Sequence, residues 1–319
     1  MTGPVIAFST PAGVTGWRRW WPYSPLARVL LFMGIFGGLI FLMRILFVTA
    51  GWMGKGAPET PHLLARFSMQ VVPALSAYLF LVYVIERRRP LELAWRRVLP
   101  HGAAGTLLGF LLITAVVGVL WLAGSYQVTG TNPDAAWLKP LLLFGLGAAI
   151  TEEIVTRGVL FRIMEEGLGT WAALLISAAI FGFGHIFNPG ATLWTSLAIS
   201  IEAGLLFGLL FHVSRSLPLC IGLHMAWNFT QGMIWGVPVS GTSDPGWLVS
   251  VRTGPDWLSG GAFGAEASVV AIVVCSAFTA ALLVVALRRR SIVPPWFVRR
   301  RIDAAAIQAS ADNGLAKAT

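Results

Sequence analysis

The centre of the chain carries two adjacent carboxylates and an arginine inside a strongly apolar segment. Glu152 and Glu153 precede Arg157, and the stretch 140–151 before them contains no charged residue. Ionisable side chains are costly within a membrane-spanning segment, so their presence there usually reflects a function. Carboxylates in such a position are candidates for acid–base chemistry on water.

Two histidines and an asparagine in later apolar segments are the natural partners of these carboxylates. His185 ends the run Phe-Gly-Phe-Gly-His, and His224 precedes Asn228 by four residues. That spacing places His224 and Asn228 on one helix face, one turn apart. Together with the carboxylates, these residues predict an intramembrane hydrolase.

Helical spacing assigns different roles to the two glutamates. Glu153 and Arg157 are four residues apart, so they can form an ion pair on one face of the helix. Glu152 points about 100° away from Glu153 and remains free to act on water. A buried ion pair can also hold helices together without any chemistry, so this cluster alone leaves a structural role open.

The elements that position these residues are predicted to be transmembrane helices. The 319 residues are 56% hydrophobic and only 12% charged, whereas soluble domains are about 25% charged. We predict an all-α fold: a polytopic integral membrane helical bundle of about eight transmembrane helices. The predicted spans are 26–50, 67–86, 101–125, 138–164, 170–187, 191–213, 217–236 and 266–288.

The basic residues predict how this bundle is oriented. With the N-terminus in the cytoplasm, 17 of the 23 Lys and Arg residues lie on the cytoplasmic side and 4 lie outside. This asymmetry satisfies the positive-inside rule with both termini cytoplasmic. The net charge of +9 is therefore mainly a topology signal rather than a sign of nucleic-acid binding. We expect a multi-pass protein of the cytoplasmic (cell) membrane, in contact with membrane lipids.

The predicted organisation has six parts along the chain. They are an interfacial lead (1–25), N-terminal transmembrane helices (26–137), a catalytic core (138–241), an extracytoplasmic loop (242–265), the last transmembrane helix (266–288) and a basic cytoplasmic tail (289–319). The oligomeric state is left open.

Three motifs in the core resemble those of a known family. They read Glu152-Glu153-x-x-x-Arg157, Phe181-x-x-x-His185 and His224-x-x-x-Asn228, in that order. This pattern is similar to that of the CAAX protease and bacteriocin-processing family, which includes the type II CAAX prenyl proteases. The resemblance covers about 138–241 and implies an intramembrane endopeptidase.

The resemblance also implies residue roles. Glu152 would be the general base, with His185 helping to position and deprotonate the water. His224 and Asn228 would donate hydrogen bonds to the oxyanion of the tetrahedral intermediate. Glu153 and Arg157 would support the site. No cofactor is required in this scheme.

Zinc is the principal alternative to this scheme. Glu152, His185 and His224 would supply a ligand set of two histidines and one carboxylate. The helical HExxH signature of zinc proteases is absent, and Asn228 suits hydrogen bonding better than ligation, so the metal-free scheme is favoured. The sequence assigns no single role to Glu202. We expect it either to pair with Arg44 or Arg157 or to line the cavity.

The resemblance implies a peptide or membrane-protein substrate. Eukaryotic members process prenylated C-terminal peptides, whereas the compact chain looks like bacterial members, in which prenylated substrates are not expected. Peptide maturation, bacteriocin-related processing and signalling proteolysis are all open. The alternative from another class is a non-catalytic scaffold, immunity factor or transporter that uses the polar cluster for helix packing.

Overall fold

The fold is built from eight helical segments. The computed structural model describes residues 6–11, 13–302 and 304–305. The segments are α1 (Pro25–Thr49), α2 (Glu59–Ile85), α3 (Trp95–Leu122), α4 (138–168), α5 (170–184, extended by the 3₁₀ turn His185–Phe187), α6 (Leu193–Ser214), α7 (217–234) and α8 (Val269–Arg288).

These segments follow the predicted spans closely. The starts of α2 and α3 differ most, because each helix begins with a polar turn that an apolar window does not include, at Glu59 and at Trp95 respectively. In the described part of the chain, six helical runs are long and apolar enough to cross a membrane. The run Leu138–Phe187 counts once among them, and 217–234 is not included. The protein is therefore a helical, multi-pass membrane protein.

The α4–α5 boundary is a sharp break. Gly169 has φ 82° and ψ 171°, so the helix ends there and the chain reverses into α5. A positive φ is strained for residues with a Cβ, and a Cβ at this position would also contact Val293 and Pro295. This glycine therefore makes α4 and α5 neighbours, with Glu152 on one and His185 at the end of the other.

A small β-sheet departs from the all-α prediction. β1 (Tyr126–Thr131) pairs antiparallel with β2 (Leu248–Arg252), and the register shifts between Val128 and Gly130. Alternating polar and apolar residues in two loops far apart in sequence gave no recognisable hairpin signal. The sheet joins the predicted extracytoplasmic loop to the α3–α4 connection.

The core lies around α6 and α7. The most apolar window of α6 is 72% buried within the protein, against 6% for α1 and 17% for α8. α7 packs on α3 at backbone contact, because Gly105 and Gly109 of α3 leave no room for a Cβ against Leu219 and Leu223. This close packing positions the part of α7 that carries His224.

The terminal segments are described only in part. A helical turn, Trp17–Trp20, falls in the predicted interfacial lead. The structure describes the tail as far as 302 and also 304–305. Positions 303 and 306–319 of the predicted tail lie outside the described residues, so its last part stays a prediction.

Candidate active site

Glu152 and Glu153 lie on a short α-helical stretch between two π-helical ones. Ala148–Glu153 is α-helical, whereas Leu141–Gly147 and Ile154–Phe161 are π-helical. Local π-helical geometry changes the direction of side chains along a helix and is frequent at functional sites. The side chain of Glu152 is 35% exposed, whereas Glu153 is fully buried. The two glutamates therefore occupy different environments, as the sequence predicts.

Glu153 is shared between an arginine and a histidine. Its Oε1 lies 3.0 Å from Arg157 Nη1, which confirms the predicted ion pair, and 2.9 Å from His224 Nδ1. The second contact was not foreseen, because α4 and α7 are far apart in sequence. Glu153 therefore connects the supporting pair to one of the predicted catalytic residues.

Arg157 is held by aromatic rings as well as by Glu153. Its guanidinium carbon lies 4.5 Å from the ring centre of Phe181 and 5.0 Å from that of Phe207. Its Nη2 donates to the carbonyls of Ala203 and Gly204. A desolvated guanidinium gains from such cation–π contacts, so Arg157 ties α4 to α5 and α6.

Both histidines turn Nε2 towards Glu152. The Oε2 atom of Glu152 lies 4.0 Å from His185 Nε2 and 3.9 Å from His224 Nε2. His185 Nδ1 lies 2.8 Å from the carbonyl oxygen of Phe181. A carbonyl only accepts hydrogen bonds, so His185 Nδ1 carries a proton and the Nε2 atom of the neutral ring is an acceptor.

The acceptors around Glu152 need a donor. Glu152 Oε2 is buried and has no hydrogen-bond partner among the described residues. An ionised carboxylate and a neutral His185 Nε2 both accept, and neither can satisfy the other. A water molecule supplies two hydrogens, and a separation of 4.0 Å allows it to contact both atoms.

Asn228 lies one turn beyond His224 on α7. Its Nδ2 donates to the carbonyl oxygen of Phe144 at 2.9 Å, which fixes the amide against α4. An amide nitrogen carries two hydrogens, so one remains for a second acceptor. His224 and Asn228 line the same cavity, as their spacing predicts.

Two cavities meet at His185. An outer groove of about 320 Å³ runs between α4 and α5 and contains Glu152. An inner cavity of about 30 Å³, room for one or two water molecules, lies behind it and contains His224 and Asn228. His185 and Phe181 line both. The four predicted catalytic residues are thus brought together around two neighbouring cavities that share lining residues.

Glu202 lines the inner cavity, which is one of the three roles that the sequence leaves open for this residue. It forms no ion pair with Arg44 or Arg157 among the described residues. Glu266 lines the same cavity and accepts hydrogen bonds from Ser240 and Gln231. Sequence reasoning missed Glu266, although its acidic side chain at the start of the last predicted span was a usable signal.

The zinc alternative involves the same side chains. In the described part of the chain, no group of three His, Cys, Asp or Glu side chains is arranged to hold a metal ion. Glu152, His185 and His224, the ligand set of the zinc alternative, are the same residues that converge here, so the choice between zinc and a metal-free water stays a prediction.

The fold and the site together define a class of protein: a polytopic helical membrane protein with a carboxylate–histidine site between its central helices. Residues 134–230 match the family model described as type II CAAX prenyl endopeptidase Rce1-like. This match, over about a third of the chain, confirms the resemblance to the CAAX protease family that the motifs indicate. No curated protein and no solved structure matches the chain significantly.

Proposed function

We propose that this protein hydrolyses a peptide bond within the membrane, using a water activated by Glu152 and His185. The observation that carries the proposal is the convergence of two imidazole Nε2 atoms on Glu152 Oε2, at 4.0 and 3.9 Å. A family match to an endopeptidase supports the same reaction class. In this scheme the water oxygen attacks the carbonyl carbon of the peptide bond while Glu152 accepts a proton from that water. Glu152 later transfers the proton to the leaving amine.

His224 and Asn228 stabilise the tetrahedral intermediate in this proposal. Because His224 Nδ1 faces the Glu153 carboxylate, the ring donates from Nε2 only when both nitrogens carry protons. Glu153 is then the counter-charge for an imidazolium as well as for Arg157. The free hydrogen of the Asn228 amide is the second donor. Such donors in a water-poor site contribute several kcal/mol to a rate.

The outer groove is the proposed route for a peptide or membrane-protein substrate. Its walls include the apolar side chains Val155, Leu160 and Ile180, and it opens between α4 and α5 beside Glu152. Apolar walls suit a substrate that approaches from the lipid phase. We further propose eight membrane crossings, both termini in the cytoplasm, and a location in the cell membrane.

The test compares full-length protein with its Glu152→Gln variant in reconstituted vesicles. Both are incubated with membrane proteins, and new peptide N-termini are counted by mass spectrometry. We expect Glu152→Gln to lower cleavage by about 10²–10⁴-fold, because it removes the general base. Glu59→Gln is the matched control: it removes an exposed carboxylate at the start of α2, outside the site.

Three results would contradict this mechanism. Cleavage that persists in folded Glu152→Gln protein would overturn the mechanism. Absence of cleavage in every variant, with binding of membrane proteins retained, would favour the non-catalytic alternative. Loss of activity on chelation, with recovery on adding zinc alone, would favour the metal version.

A further inference from the structure

A further cavity, with mainly apolar walls and several arginines among its lining residues, lies at the opposite end of the helices from the β-sheet. Its volume is about 260 Å³, and it is formed by the α2–α3 connection, the end of α4, the end of α6 and the N-terminal segment near Ile6. Four arginines line it, against a single glutamate, Glu92. Phe211 and Leu91 provide an apolar wall. The cavity is separate from the outer groove and the inner cavity of the candidate active site.

Buried glutamates balance three of these four arginines. Arg88 pairs with Glu92, Arg162 with Glu86 and Arg215 with Glu165. Arg28, which also contacts Glu86, has Glu166 as a further partner. The fourth, Arg89, is exposed and has no ion-pair partner among the described residues. The cavity therefore carries one unbalanced positive charge at its rim.

Two of the glutamates on this side, Glu86 and Glu92, are anionic at neutral pH. Burial alone would raise the pKa of Glu86, but Arg162 and Arg88 outweigh it and hold that pKa below its ordinary value. Burial likewise opposes ionisation of Glu92, and Arg88 nevertheless lowers the pKa of that carboxyl. The ion pairs are therefore formed at neutral pH, and the excess charge belongs to Arg89.

Arg162 also carries an unused hydrogen-bond donor. Its side chain is 2% exposed. Its Nε donates to the carbonyl oxygen of Gly158, and its Nη1 contacts the carboxylates of Glu86 and Glu166. Its Nη2 is buried and has no acceptor among the described residues. A buried donor left unpaired costs about 1–3 kcal/mol. Arg162 lines the cavity, so a shift of its guanidinium on ligand binding would let an anionic oxygen accept from Nη2 and remove this cost.

We propose that this cavity binds a phosphate group, with Arg162 and Arg89 as its main contacts. Guanidinium groups bind phosphate oxygens through geometrically matched hydrogen bonds. Basic pockets between the cytoplasmic ends of transmembrane helices bind anionic lipid headgroups. The apolar wall at Phe211 and Leu91 suits the glycerol and first methylenes of a phospholipid, and a free phosphate ion shares the same headgroup chemistry.

The test uses a pair of variants on one loop. Arg89→Gln removes a charge that lines the cavity, and Arg87→Gln removes an exposed charge two residues away that does not. Neither residue forms an ion pair among the described residues, so both variants should fold. Purified full-length proteins are placed in phosphatidylcholine vesicles with or without phosphatidylglycerol. Apparent affinity is read from the lipid dependence of the thermal unfolding temperature, and native mass spectrometry counts the bound lipid.

We expect saturable stabilisation by phosphatidylglycerol, unchanged in Arg87→Gln and weakened roughly fivefold in Arg89→Gln. A parallel titration with inorganic phosphate, against sodium chloride at matched ionic strength, separates the sources. A response to phosphate that depends on Arg89 identifies a free-phosphate site, whereas a response to lipid alone identifies a headgroup site. Equal responses in all three proteins, or no saturable response, would overturn the proposal.

Discussion

At the residue scale, the two adjacent glutamates differ in their surroundings rather than in their chemistry. Glu153 is enclosed by Arg157 and His224, and one of its oxygens contacts both side chains. Glu152 is one-third exposed and faces the Nε2 atoms of both histidines. A shift of one residue along a helix thus separates a supporting carboxylate from the proposed base.

Glu153→Gln is predicted to destabilise the protein strongly. The change leaves Arg157 buried and unpaired, and removing one partner of a buried pair typically costs about 3–5 kcal/mol. Thermal or denaturant unfolding in detergent measures the effect, with Glu152→Gln as the comparison on the neighbouring position. A double variant, Glu153→Gln with Arg157→Met, should recover part of the loss. An unfolding temperature equal to that of the wild type in Glu153→Gln would contradict the supporting role.

At the element scale, close helix packing sets the position of the site. α7 carries His224 and Asn228, and it rests on the α3 glycines rather than on side chains. Gly109 approaches the backbone of Leu223, the residue directly before His224. Side chains at this contact would push α7 away from α4 and alter the distance between His224 and Glu152.

Gly109→Ala is therefore predicted to lower both stability and activity, whereas Gly118→Ala is not. Both glycines lie on α3, but a Cβ at Gly118 meets nothing within 4 Å. Alanine favours a helix by up to about 1 kcal/mol over glycine, so the Gly118 variant should be neutral or slightly more stable. The unfolding temperature and the cleavage rate of both variants check this. Equal behaviour of the two would show that the α3–α7 contact is not limiting.

At the scale of the whole molecule, contacts between distant segments agree with the predicted sidedness. β1 pairs with β2, and Lys139 pairs with Asp244, joining segments that the charge pattern places outside the cytoplasm. At the other end, Arg28 forms ion pairs with Glu86 and Glu166, joining segments assigned to the cytoplasmic side. Each end of the bundle is therefore composed of segments with the same predicted location.

Cysteine labelling in intact cells tests the absolute orientation. Cys220 and Cys275 are both buried, so the wild type should not react with a membrane-impermeant maleimide. We expect Gln127→Cys, on β1, to be labelled in intact cells. Arg96→Cys, near the start of α3, should be labelled only after the membrane is permeabilised. The reverse pattern would invert the proposed topology, and labelling of both positions in intact cells would refute a single orientation.

The membrane class, the segments and the Glu153–Arg157 pair follow from the sequence alone. Hydropathy and helix periodicity are local properties, so they identify apolar runs and residues one turn apart on the same helix. For that reason the eight segments and the relation of His224 to Asn228 were predictable. The family motifs are local for the same reason, since each falls within one segment.

Only the tertiary structure decided which segments touch. The Glu153–His224 contact, the approach of both Nε2 atoms to Glu152 and the place of Glu266 in the inner cavity all join residues from different helices. The β-sheet likewise pairs strands more than one hundred residues apart. Such contacts depend on how glycines and buried ion pairs let one helix pack on another. The hydrophobic periodicity of a single helix does not specify which other helix it packs against.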